Sequence, residues 1–261
     1  MRLVKFFYKR RQRWGILEKE RVRFLSVPPF VSIRPESKIV PLRNLKLCAP
    51  QAASKIVLVG LNYRDHAKEL NMKIPEQPIL FIKPASALIG SLDTIRYSRS
   101  LGRVDFEAEL AVVIKTKAKD ITPQQVKKHI LGYTCLNDVT ARDLQAKDIQ
   151  WTRAKSFDTF CPLGPWIETD LETGALHIKT SVNGQVRQDS CTSNFIFNIN
   201  YLVSFISTIM TLSPGDVIST GTPPGVGPLQ HGDCVEVEIE GIGVLKNYVE
   251  CLASPGISKD R

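Results

Sequence analysis

The run Val104-Asp105-Phe106-Glu107-Ala108-Glu109-Leu110-Ala111-Val112-Val113-Ile114 constrains this chain most. Its aliphatic and β-branched residues favour an extended strand, and from Leu110 onward every position is apolar, so the strand must be covered on both faces. Successive side chains alternate, which aims Glu107 and Glu109 the same way, with Leu110, Val112 and Ile114 sharing a face. Two carboxylates side by side in front of a buried run repel each other, and burying either requires a cation or a proton. A third acid, Asp138, ends a second apolar run, Cys135-Leu136-Asn137, 29 residues after Glu109. Glu107, Glu109 and Asp138 form an all-oxygen set suited to Mg²⁺, Mn²⁺ or Ca²⁺ rather than zinc. The same alternation suits two glutamates on a wet edge strand, and spacing alone does not choose.

At 261 residues the chain can bury a sizeable core. Its six cysteines (48, 135, 161, 191, 234 and 251) contain no C-x-x-C pair, a pattern of reduced thiols in a cytosolic protein rather than a disulfide framework or zinc site. No apolar run approaches the ~20 residues of a membrane span, and the basic N-terminus lacks an uninterrupted signal-peptide core. The formal charge of +9 is localised: residues 1–50 hold 13 Lys/Arg against 3 Asp/Glu, and the remainder is nearly neutral. Lys9-Arg10-Arg11-Gln12-Arg13 is therefore the place to look for polyanion binding, although it reads first as the solvated tip of a hairpin, which makes nucleic acid a poor expectation.

Residues 2–8, 13–18 and 21–25 form short β-favouring segments between charged turns, as in a small antiparallel meander. Residues 27–50 are too proline-rich for regular structure and read as a linker, which sets a boundary at residue 50 between a small N-terminal β-domain (1–50) and a main domain (51–261). A buried strand at 55–60 then yields to a helix opened by Asn62 and Asp65, on which His66 and Glu69 are three residues apart and share a face. Such a pair can act as a carboxylate-held general base or be an ordinary surface contact. Thr122-Pro123-Gln124-Gln125 is a capping box opening a helix that Gly132 stops. Thr140 caps a further helix, with Arg142 and Gln145 near its start; both could meet an anionic or carbonyl-bearing ligand, or lie on its surface. Lys155 either neutralises developing negative charge or snorkels from an apolar wall. Asn183-Gly184 turns a hairpin, residues 195–212 include an amphipathic helix, and Thr220-Gly221-Thr222-Pro223-Pro224-Gly225-Val226-Gly227-Pro228 is a loop of pre-set amides apt to hold a carboxylate.

The segments Val-Gly-Leu-Asn-Tyr-Arg-Asp-His-Ala-Lys-Glu (59–69), Phe-Glu-Ala-Glu-Leu-Ala-Val-Val (106–113), Asn-Asp-Val-Thr-Ala-Arg-Asp-Leu-Gln (137–145), Ala-Lys-Ser-Phe-Asp (154–158) and 220–227 occur in an order that closely resembles the fumarylacetoacetate hydrolase family. The resemblance implies a β-rich mixed α/β fold, a mixed β-sandwich roll with a small N-terminal β-domain. It implies Mg²⁺ or Mn²⁺ (or Ca²⁺ in their place) held by Glu107, Glu109 and Asp138, and a His66–Glu69 dyad on a lid that activates water or moves a proton. It places Lys155 at substrate oxygens, and Arg142, Gln145 and Thr222 near a carbonyl or carboxylate. A homodimer is also implied. The chemistry expected is that of small 2-oxo acids of the acylpyruvate type, by C–C hydrolysis or decarboxylation through a stabilised enolate. The alternatives are the isomerase/decarboxylase of aromatic catabolism and, from another class, a polyanion-binding protein using the basic N-terminal end.

Overall fold

Segments rich in β-branched residues and punctuated by Gly, Pro and charged turns pair into three sheets in the computed structural model, which describes residues 1–50 and 54–253. The largest runs in the order Pro35–Pro41, Arg21–Leu25, Arg11–Glu18, Arg2–Tyr8, Cys161–Glu168, Ile130–Asn137, Ala108–Ile114, Val217–Ser219, Ile56–Gly60, Ile79–Lys83. A second sheet orders Gln185–Cys191, His177–Val182, Cys234–Ile239, Gly243–Leu252 and Thr94–Ser98. A third, small one sets Val104–Phe106 between Thr140–Ala141 and Gly227–Pro228. Most pairings are antiparallel, while Val217–Ser219 runs parallel to Ile56–Gly60 and Gly243–Leu252 parallel to Thr94–Ser98. The β-rich mixed fold is thus as expected, and no helix among the described residues is long and apolar enough to cross a membrane.

The acidic strand lies inside this assembly rather than at a wet edge. Leu110, Val112 and Ile114 pack into the main core with Ile178, Val237, Ile239 and the helix Ile199–Ile209. The acids point the opposite way, to the side where Ala111 packs with Ile56, Leu58 and Phe81, and Val113 with Leu3, Trp14 and Ile167. One expectation changes here: the strand is not continuous. It breaks at Glu107, and Val104–Phe106 leaves the large sheet to join the small one. Its neighbour does the same. The ladder closes with Ala108 opposite Asn137, and pairing resumes with Asp105 opposite Thr140 and Val104 opposite Ala141. Glu107 and Asp138 therefore sit at the corner where a two-stranded ribbon changes sheets, tied by Asp138 N–H donating to Glu107 O at 2.8 Å.

Other differences have local causes. The proline-rich stretch is not a linker throughout: Pro35–Pro41 and Lys46–Cys48 are strands, with prolines confined to the ends of the former and that strand at the sheet edge, where a missing N–H is tolerated. The boundary at residue 50 abuts residues 51–53, which lie outside the described residues. The Thr122 capping box is present, but it opens a 3₁₀ helix, Pro123–His129, and Gly132 belongs to the next strand. There a Cβ would stand 2.4 Å from Glu168 O, so the glycine serves close strand approach, not helix termination. Asn62 and Thr140 do not cap helices either. Asn62 is fully buried and braces Phe197 and Thr220, while Thr140 donates to Asp138 O at 2.8 Å.

Candidate active site

Glu107, Glu109 and Asp138 are all buried, and each offers an oxygen within 4.8 Å of the others. Burial and mutual repulsion penalise such a cluster, and cations answer them unequally. Lys155 Nζ lies 2.9 Å from Glu107 Oε2 and 2.5 Å from Asp138 Oδ2. It reaches them from a single helical turn, Thr152–Lys155, whose preceding Trp151 packs edge-on to Phe81. Arg142 Nη2 contacts the other oxygen of Glu107 at 2.6 Å, and its Nε binds Asp105 at 2.9 Å. Burial would raise the Glu107 carboxyl, but Lys155 and Arg142 outweigh it and hold it down at about 2.

Asp138 has a second cation that sequence reasoning missed. Lys83 is fully buried, with Nζ 2.7 Å from Asp138 Oδ1, 2.9 Å from Val139 O, and bonded also to Phe160 O. Its signal was available only in part: a lysine ending the apolar run Pro78–Phe81–Ile82 reads as the solvated strand end, whereas here Ile79 and Ile82 are exposed and Lys83 points inward. Because breaking one partner out of a buried ion pair costs about 3–5 kcal/mol, Lys83→Ala is expected to destabilise the fold by that order. A urea melt matching the parent would contradict this role.

Glu109 differs from both. Its Oε2 accepts from Ser219 Oγ at 2.5 Å and from Gly221 N–H at 2.9 Å, with no cation within ion-pair distance among the described residues. Gly221 stands at φ +92°, and a Cβ there would lie 2.9 Å from the Asn62 side chain, so this donor needs glycine. Burial first, then repulsion by Asp138 and Glu107, pushes the Glu109 carboxyl well above its ordinary value. A carboxylate so placed calls for a proton or a further positive charge, and the all-oxygen donor set fits a divalent cation. Glu107, Glu109 and Asp138 are the residues that would hold it.

His66 is 8% exposed on the short helix Arg64–Glu69, with Nδ1 2.8 Å from Glu69 Oε2. With Nδ1 engaged by the carboxylate, Nε2 is the ring nitrogen left for another partner. Glu69 is itself held, since its Oε1 accepts from Gly225 N–H at 3.1 Å. Gly225 has φ +90°, and a Cβ would stand 2.3 Å from Arg187 O, so Gly225→Ala is expected to shift this loop. Asp65, another residue that sequence reasoning left without a partner, anchors the helix: Oδ2 accepts from Ser190 Oγ at 2.5 Å and Asn194 Nδ2 at 3.1 Å.

His66, the three acids, Lys155, Arg142, Gln145 and Thr222 line one cavity of about 360 Å³, with Leu70, Met72, Ile79, Phe81 and Trp151 as its apolar wall. Arg142 is largely spent on the protein, since Nη1 also donates to Gln145 Oε1 at 2.5 Å. The Thr222 oxygen accepts from buried Gln188 at 2.9 Å, which leaves its own proton free to donate. Gln188 was not anticipated; it also accepts from Ala108 N–H at 2.9 Å, and so ties the loop to the acidic strand.

Residues 55–250 match the family model described as fumarylacetoacetate (FAA) hydrolase C-terminal, and residues 1–50 match one described as Rv2993c-like, N-terminal. A relative in Methanocaldococcus jannaschii is 58% identical over 215 residues, 82% of this chain and 90% of that one. The oxaloacetate tautomerase fahd2, mitochondrial, of Xenopus laevis is 42% identical over 81% of this chain and 70% of its own length. Among solved structures, 5-carboxymethyl-2-hydroxymuconate delta-isomerase from Mycobacterium smegmatis superposes with a TM-score of 0.92 at 43% identity, covering 97% of this chain and 100% of that one.

Proposed function

Because the chain belongs to the fumarylacetoacetate hydrolase family and is an enzyme of it, we propose that it is a divalent-metal-dependent isomerase or tautomerase of small 2-oxo acids. The observation that carries this reading is that a carboxylate-held histidine and a buried acidic triad line the same cavity. Glu107, Glu109 and Asp138 would hold magnesium or manganese, which would supply Lewis acidity toward the oxygens of a 2-oxo acid. His66 Nε2 takes the proton from the carbon beside the keto group and returns it at the new position, while Glu69 stabilises the imidazolium between the two transfers. Lys155 presents an ammonium to negative charge growing on substrate oxygen. Thr222 and Gln145 orient the polar end, and Leu70, Met72, Ile79, Phe81 and Trp151 give the rest of the molecule an apolar wall to lie against.

Proton transfer is placed ahead of C–C hydrolysis because the two relatives named above for an activity, at more than 40% identity, are an isomerase and a tautomerase. Hydrolysis of acylpyruvates or decarboxylation is the second reading, supported by the same dyad, which could equally direct water at a carbonyl. A homodimer fits too, since Leu70, Met72, Ile74, Ile79, Ile82 and Ile149 leave apolar surface exposed. The deciding assay runs enol-oxaloacetate, a 2-hydroxy-dienedioate and an acylpyruvate in parallel with Mg²⁺ or Mn²⁺. Fastest turnover of the first two is expected; fastest cleavage of the acylpyruvate would transfer the assignment to hydrolysis, and no metal-dependent turnover of any would remove it.

A further inference from the structure

The outer end of the large sheet holds a second concavity of about 340 Å³, lined by Tyr8, Lys9, Arg11, Arg13, Phe24, Glu36 and Lys38. None of these residues lines the cavity described above. The fold brings them together from four strands and a turn. Arg11 and Arg13 lie two apart on Arg11–Glu18 and so project from one face, opposite Tyr8 and Phe6 of the neighbouring strand. Lys9 sits in the turn at φ 48°, and Lys38 comes from Pro35–Pro41, beyond the strand that carries Phe24.

Four cations thus face one hollow with a single acid, Glu36, among them. Within a salt bridge's reach none of the four finds a carboxylate among the described residues; Glu18, the acid at the far end of the same strand, is taken by Arg23. Lys38 is held by ring faces instead, with Nζ 3.8 Å from the centroid of Tyr8 and 4.9 Å from that of Phe24. Those rings are fixed edge-to-face at 5.1 Å, and Phe24 is likewise packed on Phe6 at 4.9 Å. Ring faces orient an ammonium without cancelling its charge. Lys38 first, and then Lys9, pull the Tyr8 hydroxyl below its ordinary value, as a locally positive field should.

Like charges gathered in a hollow on a rigid platform repel one another, and among the described residues no carboxylate lies within ion-pair distance of them. We propose that this hollow is a binding site for a small molecule bearing phosphoryl groups, with two or more negative charges, gripped by the Arg11 and Arg13 guanidinium forks and by Lys9 and Lys38. Guanidinium groups pair two donors with two oxyanion oxygens, which disfavours halide, and four cations ask for more charge and more oxygens than a single carboxylate carries, which favours phosphoryl groups. The size of the hollow and the convergence of the four cations favour a compact ligand over a polymer, which would need a basic track.

Pyrophosphate titrated calorimetrically into the full chain, at about 0.1 M salt and without added divalent metal, tests the site. Saturable one-to-one binding is expected, weakened at least tenfold by Arg11→Gln with Arg13→Gln and measurably by Lys38→Gln alone. All three residues are exposed, so melting curves should be unchanged, as should turnover of the 2-oxo acid. No pyrophosphate binding, or equal affinity in the double variant, would overturn the proposal. A single-stranded oligonucleotide and phosphatidic acid vesicles serve as the other arms, and binding of either in place of pyrophosphate would overturn it too.

Discussion

Glu109→Gln is expected to abolish metal-dependent turnover while leaving the fold standing. The amide keeps an acceptor for Ser219 Oγ and Gly221 N–H, so neither buried donor is stranded, and only the charge is removed. Losing a partner that merely orients a metal ligand typically costs about 10–100-fold, and loss of a ligand itself should exceed that range. Glu109 is also the carboxylate for which metal and proton compete. Its folded-state value is raised, so in the metal-free protein its contribution to stability is present at low pH, with the group protonated, and is lost as pH rises through that value. A divalent cation replaces the proton. Stabilisation by added Mn²⁺, read as a rise in Tm, should therefore grow with pH in the parent and flatten in Glu109→Gln. A variant that turns over as fast as the parent would remove Glu109 from the site.

His66→Ala should retain metal binding and lose about 10²–10⁴-fold in rate, the usual worth of a positioned proton-transfer group. Stability should change little, because Asp65 and the Tyr63–Phe195 contact still dock the helix. Glu69→Gln is the informative companion. It can still meet the ring and Gly225, but it no longer stabilises the imidazolium, so its rate should fall less than that of His66→Ala, with the residual pH profile displaced. Equal rates for His66→Ala and the parent would exclude the dyad.

Much of the β framework was legible because its signals are local. The charged turns separating residues 2–8, 13–18 and 21–25, the Asn183-Gly184 hairpin and the Thr122 capping box each depend on a few neighbouring residues, and each is present, with the second strand starting two residues earlier, at Arg11. Alternation likewise set Glu107 and Glu109 on one side. What alternation could not show is the corner at Glu107, because it depends on a partner strand 30 residues away leaving the large sheet at the same level. Lys83 and Gln188 escaped for the same reason. A lysine beside Pro84 and a glutamine within a polar hairpin look solvated until the strands opposite supply Asp138, Ala108 and Thr222. Asn62 and Thr140 were misassigned as caps because cap geometry and long-range bracing use the same short polar side chains. The motifs in residues 59–227 pointed to the family where no single spacing could, and the family model spans the same stretch.

Proton NMR of oxaloacetate in D₂O tests the central claim most directly, since it reads proton exchange at C3 separately from loss of CO₂ or C–C cleavage. With Mg²⁺ or Mn²⁺ and the parent enzyme, C3 exchange should outpace both other processes, and should fall to near the enzyme-free rate when EDTA removes the metal and in Glu109→Gln and His66→Ala. Exchange that continues unchanged in EDTA, or that never exceeds the enzyme-free rate, would contradict a metal-dependent proton transfer at this site.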